Sequence, residues 1–178
     1  MSADVQLNCA PLESAISNLE ESDNAYLKVG ILGDYAGRTS DETGTKRKNS
    51  DLTNPLLGLW HEFGVVKTGL PERSFLRMPL LLKLPDSLKN MASQAEWYRI
   101  ITEKGFVHML DLIGNEAIGI IADAFHTGGF GFWQKLKPAT IFRKKNSDIL
   151  MDSGQMSRAV TYAVVMRGAP NKPVAPII

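Results

Sequence analysis

Apolar residues recur along the chain at two spacings, which predict helices and strands. Helical spacing predicts a short amphipathic helix over 11–21. Apolar residues alternate with polar or small ones over 25–32, as in a strand with one buried face, and a second β-rich run covers 160–166. The longest helical pattern runs over about 104–127 and predicts one long amphipathic helix.

Start and stop signals divide the middle of the chain into further predicted helices. Asn54 followed by Pro55 is typical of a helix N-cap, and Gly64 is a typical stop. Proline and acidic pairs predict two more helix starts, at Pro71 and Pro85.

Two segments contain no pattern that would anchor them in a core. Residues 34–53 are almost wholly polar and are expected to form a flexible loop. Residues 169–178 hold three prolines and are expected to form an extended tail. We therefore expect residues 1–178 to form a single domain with one loop and one tail outside its core.

Composition narrows the class of protein. The chain has 178 residues, 44% hydrophobic residues and a net charge of +1, which argue against a disordered protein and against a uniformly basic nucleic-acid coat. Its one cysteine, Cys9, excludes an intrachain disulfide framework. The N-terminus lacks a signal-peptide pattern, and the most apolar run, 78–84, is too short to span a bilayer, so no membrane partner is expected.

Positive charge is concentrated in two stretches. Lys46, Arg47 and Lys48 lie in the polar segment, and residues 135–145 contain five basic residues and no acid. The basic residues of this second stretch are Lys135, Lys137, Arg143, Lys144 and Lys145. Such stretches form either a solvated surface or a contact to a nucleic-acid backbone, and the sequence leaves both readings open.

No pattern in the sequence selects a reaction. His61 and Glu62 resemble the start of a zinc-protease motif, but Val65 stands where the second histidine ligand belongs. The glycines that follow the long predicted helix close a helix, whereas a phosphate-binding loop opens one. We therefore expect no enzyme activity, no metal and no cofactor.

Two stretches resemble one known family. Residues 54–64 (NPLLGLWHEFG) and 70–77 (LPERSFLR) are similar to the His-Glu-Phe-Gly and Pro-x-Arg-x-Phe-Leu-Arg signature of phage minor tail components. Trp133 and the segment 137–162, which includes the sequence ILMDSGQM, resemble the closing pattern of the same proteins. Ser153 stands where that pattern usually has threonine. The family is the tail-completion, or virion-morphogenesis, group of tailed phages, also called neck proteins.

The resemblance implies an α+β fold, with a small antiparallel sheet packed against several helices, and a structural role without catalysis. It implies a ring, expected to be hexameric, that joins the tail to the head of the virion. The protein is expected to be made in the host cytoplasm. Its expected partners are further copies of itself, the tail terminator, the tail tube and the head–tail connector, with non-specific contact to packaged DNA as a further option. A tail terminator, a head-side connector or a small DNA-binding protein are the alternatives.

Physical reasoning on the residues of these motifs also suggests individual roles. Trp60 and Phe63 are expected to fix the short helix on the core, with Asp152 capping a later helix. Arg73 and Arg77 are expected on one helical face, paired with Glu62, Asp152 or a neighbouring subunit. The residues of the structural motif are Trp60, His61, Glu62, Phe63, Gly64, Trp133, Asp152 and Gly154. The candidates for contact with a partner or DNA are Lys46, Arg47, Lys48, Arg73, Arg77, Lys135, Lys137, Arg143, Lys144 and Lys145.

Overall fold

A computed structural model describes residues 10–32, 53–145, 147–151 and 154–167. Within these ranges the chain forms seven α-helices and two β-strands. In chain order these are α1 (Ala10–Asn24), β1 (Ala25–Ile31), α2 (Asn54–Phe63), α3 (Arg77–Met91), α4 (Gln94–Lys104), α5 (Phe106–Thr127), α6 (Pro138–Lys144), α7 (Gln155–Arg158) and β2 (Val160–Met166). The predicted α+β class is confirmed.

The two strands pair with each other although they lie at opposite ends of the sequence. β1 and β2 are antiparallel, with Ala25 opposite Met166 and Ile31 opposite Val160. The Arg167 amide extends the pairing by donating to the Asn24 carbonyl at 2.6 Å. Both strands predicted from the alternating pattern are therefore confirmed.

Helix α5 is the central element against which the sheet and the other long helices pack. It contacts α1, α3, α4 and both strands. Its buried face repeats at helical spacing, as the sequence predicts, and consists of Leu110, Gly114, Ala117, Ile120, Ile121, Ala124 and Phe125. The helix ends at Gly128, whose left-handed backbone (φ 65°) suits a residue without a Cβ.

The sheet approaches α5 most closely where the ring of Tyr162 lies against Gly114. A Cβ placed on Gly114 would overlap this ring. The Tyr162 hydroxyl donates to Asp111 Oδ1 at 2.6 Å, and burial, followed by the effect of this carboxylate, raises the pKa of Tyr162 to about 12. The absence of a side chain at position 114 thus sets the distance between helix and sheet.

Aromatic rings fill the centre of the core. Phe75 has no exposed surface, and its ring centroid lies 5.3 Å from that of Phe125. Trp133 packs edge-on against Phe125 at 5.9 Å. The turn after α5 therefore brings Trp133 back into the core, as predicted.

Several predicted helix boundaries are wrong. The N-cap of α2 is Thr53, whose hydroxyl accepts from the Leu56 amide at 3.4 Å, and Asn54 is already helical. No helix starts at Pro71, because α3 begins only at Arg77. Pro85 lies inside α3 and starts no helix, while the next helix begins after a capping box at Ser93.

Some predictions fall on residues outside the described ranges. These are the flexible loop, of which only Thr53 is described, its basic residues Lys46, Arg47 and Lys48, the helix-capping role of Asp152, and the extended tail over 169–178. For α7, the residue at the N-cap is Gly154, with a left-handed φ of 73° and no side-chain cap.

The contact between Gly114 and Tyr162 yields a stability prediction. Gly114→Ala should lower the free energy of unfolding by about 1–3 kcal/mol, because the added methyl group forces the Tyr162 ring and β2 away from α5. Chemical denaturation measures this difference.

The same helix offers a matched control. Gly119 also lies in α5, but a Cβ there meets no atom within 4 Å. Gly119→Ala should therefore leave stability unchanged or raise it by about 0.5–1 kcal/mol through helix propensity. Equal effects of the two substitutions would contradict the packing described here.

Candidate interaction surface

The side chain of Glu62 connects the two segments that resemble the phage family. Its carboxylate is buried and accepts four hydrogen bonds. The donors are the Ser74 hydroxyl at 2.6 Å and the amides of Phe75, Leu76 and Arg77 at 2.9, 3.0 and 3.0 Å. Glu62 therefore caps the N-terminus of α3 from a different helix, where a negative charge also suits the helix dipole.

Further hydrogen bonds attach the segment before α3 to its neighbours. The Ser74 hydroxyl accepts from the Met78 amide at 2.9 Å while it donates to Glu62. The Ser74 carbonyl accepts from the Trp133 indole at 3.0 Å, and the Arg73 amide donates to the His61 carbonyl at 2.7 Å. The predicted motif residues Glu62 and Trp133 thus belong to one hydrogen-bonded unit, although 71 positions separate them in the sequence.

Gly64 is required where α2 turns into the next segment. It has a φ of 69°, and a Cβ there would lie 2.8 Å from the Glu72 amide nitrogen and 2.9 Å from the Leu70 carbonyl oxygen. A short hairpin follows, closed by backbone bonds between Val65 and Leu70. The prediction that Gly64 ends the helix is confirmed, and the hairpin returns the chain to the end of α2.

The prediction that Arg73 faces a partner or DNA is wrong. Arg73 is 6% exposed, and its Nε donates to the Gln134 carbonyl at 3.1 Å, while burial lowers its pKa. It lies before α3, so it shares no helical face with Arg77 and forms no pair with Glu62. The guanidinium instead holds the segment after α5 against the segment before α3.

Arg77 lies on the surface, as a contact residue requires. Its guanidinium pairs with the Glu72 carboxylate at 2.7 Å and lies 5.3 Å from the centre of the Phe63 ring. Its backbone amide contacts Glu62, whereas its Nε is 3.9 Å from that carboxylate. Arg77 therefore borders the outward side of α2.

Helix α2 is oriented opposite to the prediction, because the apolar residues expected on its buried face point outward, whereas Leu57 packs against the core. Phe63 is 58% exposed, Leu59 54% and Trp60 40%. Together with the half-buried Leu56 they form a continuous row at helical spacing, which we call the α2 stripe. The expected role of Trp60 and Phe63 as core anchors is therefore wrong.

The buried side of α2 explains this orientation. It consists of Asn54, Gly58 and Glu62, each four residues from the next. A Cβ on Gly58 would lie 3.0 Å from Ile31 and 3.2 Å from Phe75, so the helix packs closely against β1 and the core. The need to bury Glu62 at the start of α3 thus directs the apolar residues towards solvent.

A basic segment lies beside this region. Gln134 contacts Arg73, and the charge of Lys144 acts on His61 at the end of α2. The side chains of Lys135, Lys137, Arg143 and Lys145 are exposed, while Lys144 is partly buried and donates to the Asp148 carbonyl at 2.9 Å. Phe142, on the same short helix α6, is 88% exposed. The structure therefore combines an apolar stripe with a basic and aromatic border.

Burial and the positive charges near α2 lower the pKa of His61. Burial lowers its pKa to about 4, and the positive charges of Arg73 and Lys144 act in the same direction. Its Nδ1 is buried and has no hydrogen-bond partner among the described residues. The imidazole is therefore neutral at physiological pH and is a structural part of the surface.

A separate depression lies at the opposite end of the sheet. It encloses about 500 Å³ between α1, α4, α5 and β2, and its walls include Asn18, Lys104, His108 and Asp111. Asp111 already accepts the Tyr162 hydroxyl. In the described ranges, no three His, Cys, Asp or Glu side chains are grouped as a metal site, and no helix is long and apolar enough to cross a membrane.

Sequence reasoning missed two parts of this unit. The Ser74 hydroxyl accepts from an amide four residues later, a spacing outside the two or three residues of the usual N-cap signal, so the sequence pattern does not indicate it. The acceptor for Arg73 is the backbone carbonyl of Gln134, for which no side-chain pattern exists.

The capping role of Glu62 leads to a second prediction. Glu62→Gln should lower the free energy of unfolding by about 2–4 kcal/mol, because an amide nitrogen replaces one acceptor oxygen and leaves buried donors unsatisfied. Urea denaturation tests the change. Glu72→Gln is the control, since it removes only an exposed pair with Arg77 and should cost less than about 1 kcal/mol. Similar losses in both variants would argue against the capping role.

His61 leads to a prediction for pH dependence. The unfolded chain binds a proton at His61 near pH 6.5, whereas the folded chain does so only near pH 4. Stability should therefore fall as the pH decreases from about 6.5 to 4, by about 1–2 kcal/mol from this residue after allowance for solvent screening.

His61→Gln should remove this component from the pH profile of unfolding. His126→Gln, at an exposed position, should retain it. If the wild type and His61→Gln lose stability in parallel below pH 6.5, this assignment is wrong.

Comparisons of the chain with protein-family models, with curated proteins and with solved structures find no match. The exposed stripe and its basic border are therefore interpreted from their own chemistry.

Proposed function

We propose that this chain is a structural subunit of a tailed-phage virion, of the tail-completion or neck type, which assembles with copies of itself into a ring at the head–tail junction. The proposal rests on the resemblance of two sequence segments to that family and on the α2 stripe. In this function, surfaces that fit other subunits take the place of catalytic groups.

The resembling segments are physically connected. The carboxylate from the His-Glu-Phe-Gly segment accepts hydrogen bonds from the Arg-Ser-Phe-Leu-Arg segment, and Trp133 bonds to the latter. Residues that form one structural unit are expected to occur together in a family, because the loss of one leaves the others without partners. This connection supports the reading of these segments as parts of a single motif.

The observation that carries the proposal is the outward orientation of the α2 stripe. Monomeric proteins seldom expose contiguous apolar areas larger than about a few hundred Å², and exposed apolar patches of this kind are often sites of protein association. Leu59 and Trp60 lie on one turn and Phe63 on the next turn of the same helix, so a partner helix or extended segment can contact all three. Their position is fixed by the buried polar side of the same helix, so a partner meets a preformed surface.

Assembly into a ring requires a surface of this kind on each subunit. Identical subunits that contact one another through two different surfaces close into a ring when the rotation between neighbours divides a full turn. In this proposal the α2 stripe is one of the two surfaces. The exposed basic residues near α6 then contact an acidic neighbour or line the passage for packaged DNA.

The ring can be tested by measuring mass in solution. The full-length protein, at increasing concentration, should reach a discrete mass of several times 19.6 kDa, with about six copies as the expected number. Leu59→Ser combined with Phe63→Ser should shift the protein to the monomer, because hydrophobic contacts at the interface are lost.

Tyr98→Ser is the matched control, since Tyr98 is 65% exposed and lies on α4, a helix that packs against α1 and α5. It should leave the mass unchanged. Electron microscopy of particles should locate the protein at the head–tail junction. Infectious particles that lack the protein would overturn the proposal.

The basic border supports a second candidate, non-specific binding to a DNA backbone. Arg143 and Lys145 are exposed around Phe142, so cations and an aromatic ring are presented together. This alternative requires that the free subunit binds DNA with an affinity that falls steeply with salt. The outward α2 stripe has no role in it, so we favour the ring.

A further inference from the structure

The α2 stripe contains a hydrogen-bond donor as well as apolar surface. The indoles of Trp97 and Trp133 donate to the carbonyls of Leu88 and Ser74, at 3.2 and 3.0 Å. The indole of Trp60 donates to no atom in the described part of the chain, although its ring is partly buried. A segment that lies along the stripe can thus contact the exposed part of the ring and its N–H group.

The sequence of residues 169–178 has properties that complement an aromatic surface with a hydrogen-bond donor. Pro170, Pro173 and Pro176 are spaced by three residues. A polyproline II helix has three residues per turn, so these prolines would align along one edge. Its backbone forms no internal hydrogen bonds, which leaves its carbonyls available to donors.

Aromatic surfaces with an available N–H group are a common docking site for such segments. Prolines pack against aromatic rings, and the preformed polyproline II conformation reduces the entropy lost on binding. We propose that residues 169–178 of one copy bind the α2 stripe of a neighbouring copy as a polyproline II helix. The indole of Trp60 donates to a tail carbonyl in this contact.

The direction of β2 favours a neighbouring copy over the same chain. Gly58 of α2 lies against Ile31, which pairs with Val160 at the start of β2. β2 runs away from α2 for seven residues, about 20 Å at the rise of a strand, before the tail begins.

To reach the stripe of its own chain, the tail would have to reverse and run back along the sheet. The eleven residues after Arg167 span about 34 Å as polyproline II, a conformation that extends without reversal. A neighbouring copy that lies beyond the end of β2 is reached without a turn.

This arrangement specifies the ring interface. The end of β2, from which the tail continues, and the stripe lie at opposite ends of the sheet, so a contact between tail and stripe joins two different surfaces, as ring closure requires. The inference rests on the proposed function, because it needs copies of the chain placed head to tail.

Photo-cross-linking of the full-length protein tests the contact. Phe63 is replaced by p-benzoylphenylalanine, and equal amounts of unlabelled and ¹⁵N-labelled protein are mixed before irradiation. Cross-linked peptides should join position 63 to residues 169–178 and should include pairs with mixed labels. The same photoreactive residue at position 98, on α4, should give no mixed-label pairs with the tail.

Two tail variants provide a matched comparison. Combined Pro170→Ser, Pro173→Ser and Pro176→Ser should lower the cross-link yield by about tenfold or more, because the apolar edge is lost. Asn171→Ser, Val174→Ser and Ile177→Ser have the same spacing on another edge and should retain most of the yield. Unchanged thermal unfolding of both variants shows that the fold is intact.

Other cross-linking results would overturn the inference. These are cross-links with unmixed labels only, cross-links from position 63 to residues 34–53, or cross-links to α2 of another copy. The mass of the wild type separates the two proposals. A ring without tail cross-links rejects this contact alone, whereas a monomer at all concentrations rejects both the contact and the ring.

Discussion

The arrangement of this protein depends on one buried carboxylate. Glu62 accepts the hydroxyl of Ser74 and three consecutive backbone amides at the start of α3. A helix start buried without such acceptors would leave several donors unsatisfied, at a cost of about 1–3 kcal/mol each. The position of α3, and of Trp133 through the Ser74 carbonyl, therefore follows from the position of one side chain on α2.

The same constraint determines which surface the protein presents. Because α2 must direct Glu62 inward, Gly58 and Asn54, about one and two turns before it, also face the core. The apolar residues Leu59, Trp60 and Phe63 consequently face outward. A buried polar interaction and an exposed apolar surface are thus two sides of one helix, so a change to either affects the other.

Hydrophobic periodicity predicted those elements whose apolar side is the buried side. Both strands and α5 belong to this class, and the buried Leu110, Ala117 and Ile121 match the predicted pattern. The pattern failed for α2, since it assumes that apolar residues turn inward. The expectation of an exposed Arg73 also failed, because its long side chain reaches the backbone carbonyl of Gln134. Such long-range polar contacts leave no local signal in the sequence.

The pairing of β1 with β2 affects how the chain reaches its native state. About 130 residues separate the two strands, so their ladder closes a very long loop, and contacts of this kind slow folding. During translation, β1 cannot pair with β2 until residues 160–166 have left the ribosome. The sheet is therefore among the last of the described elements to form.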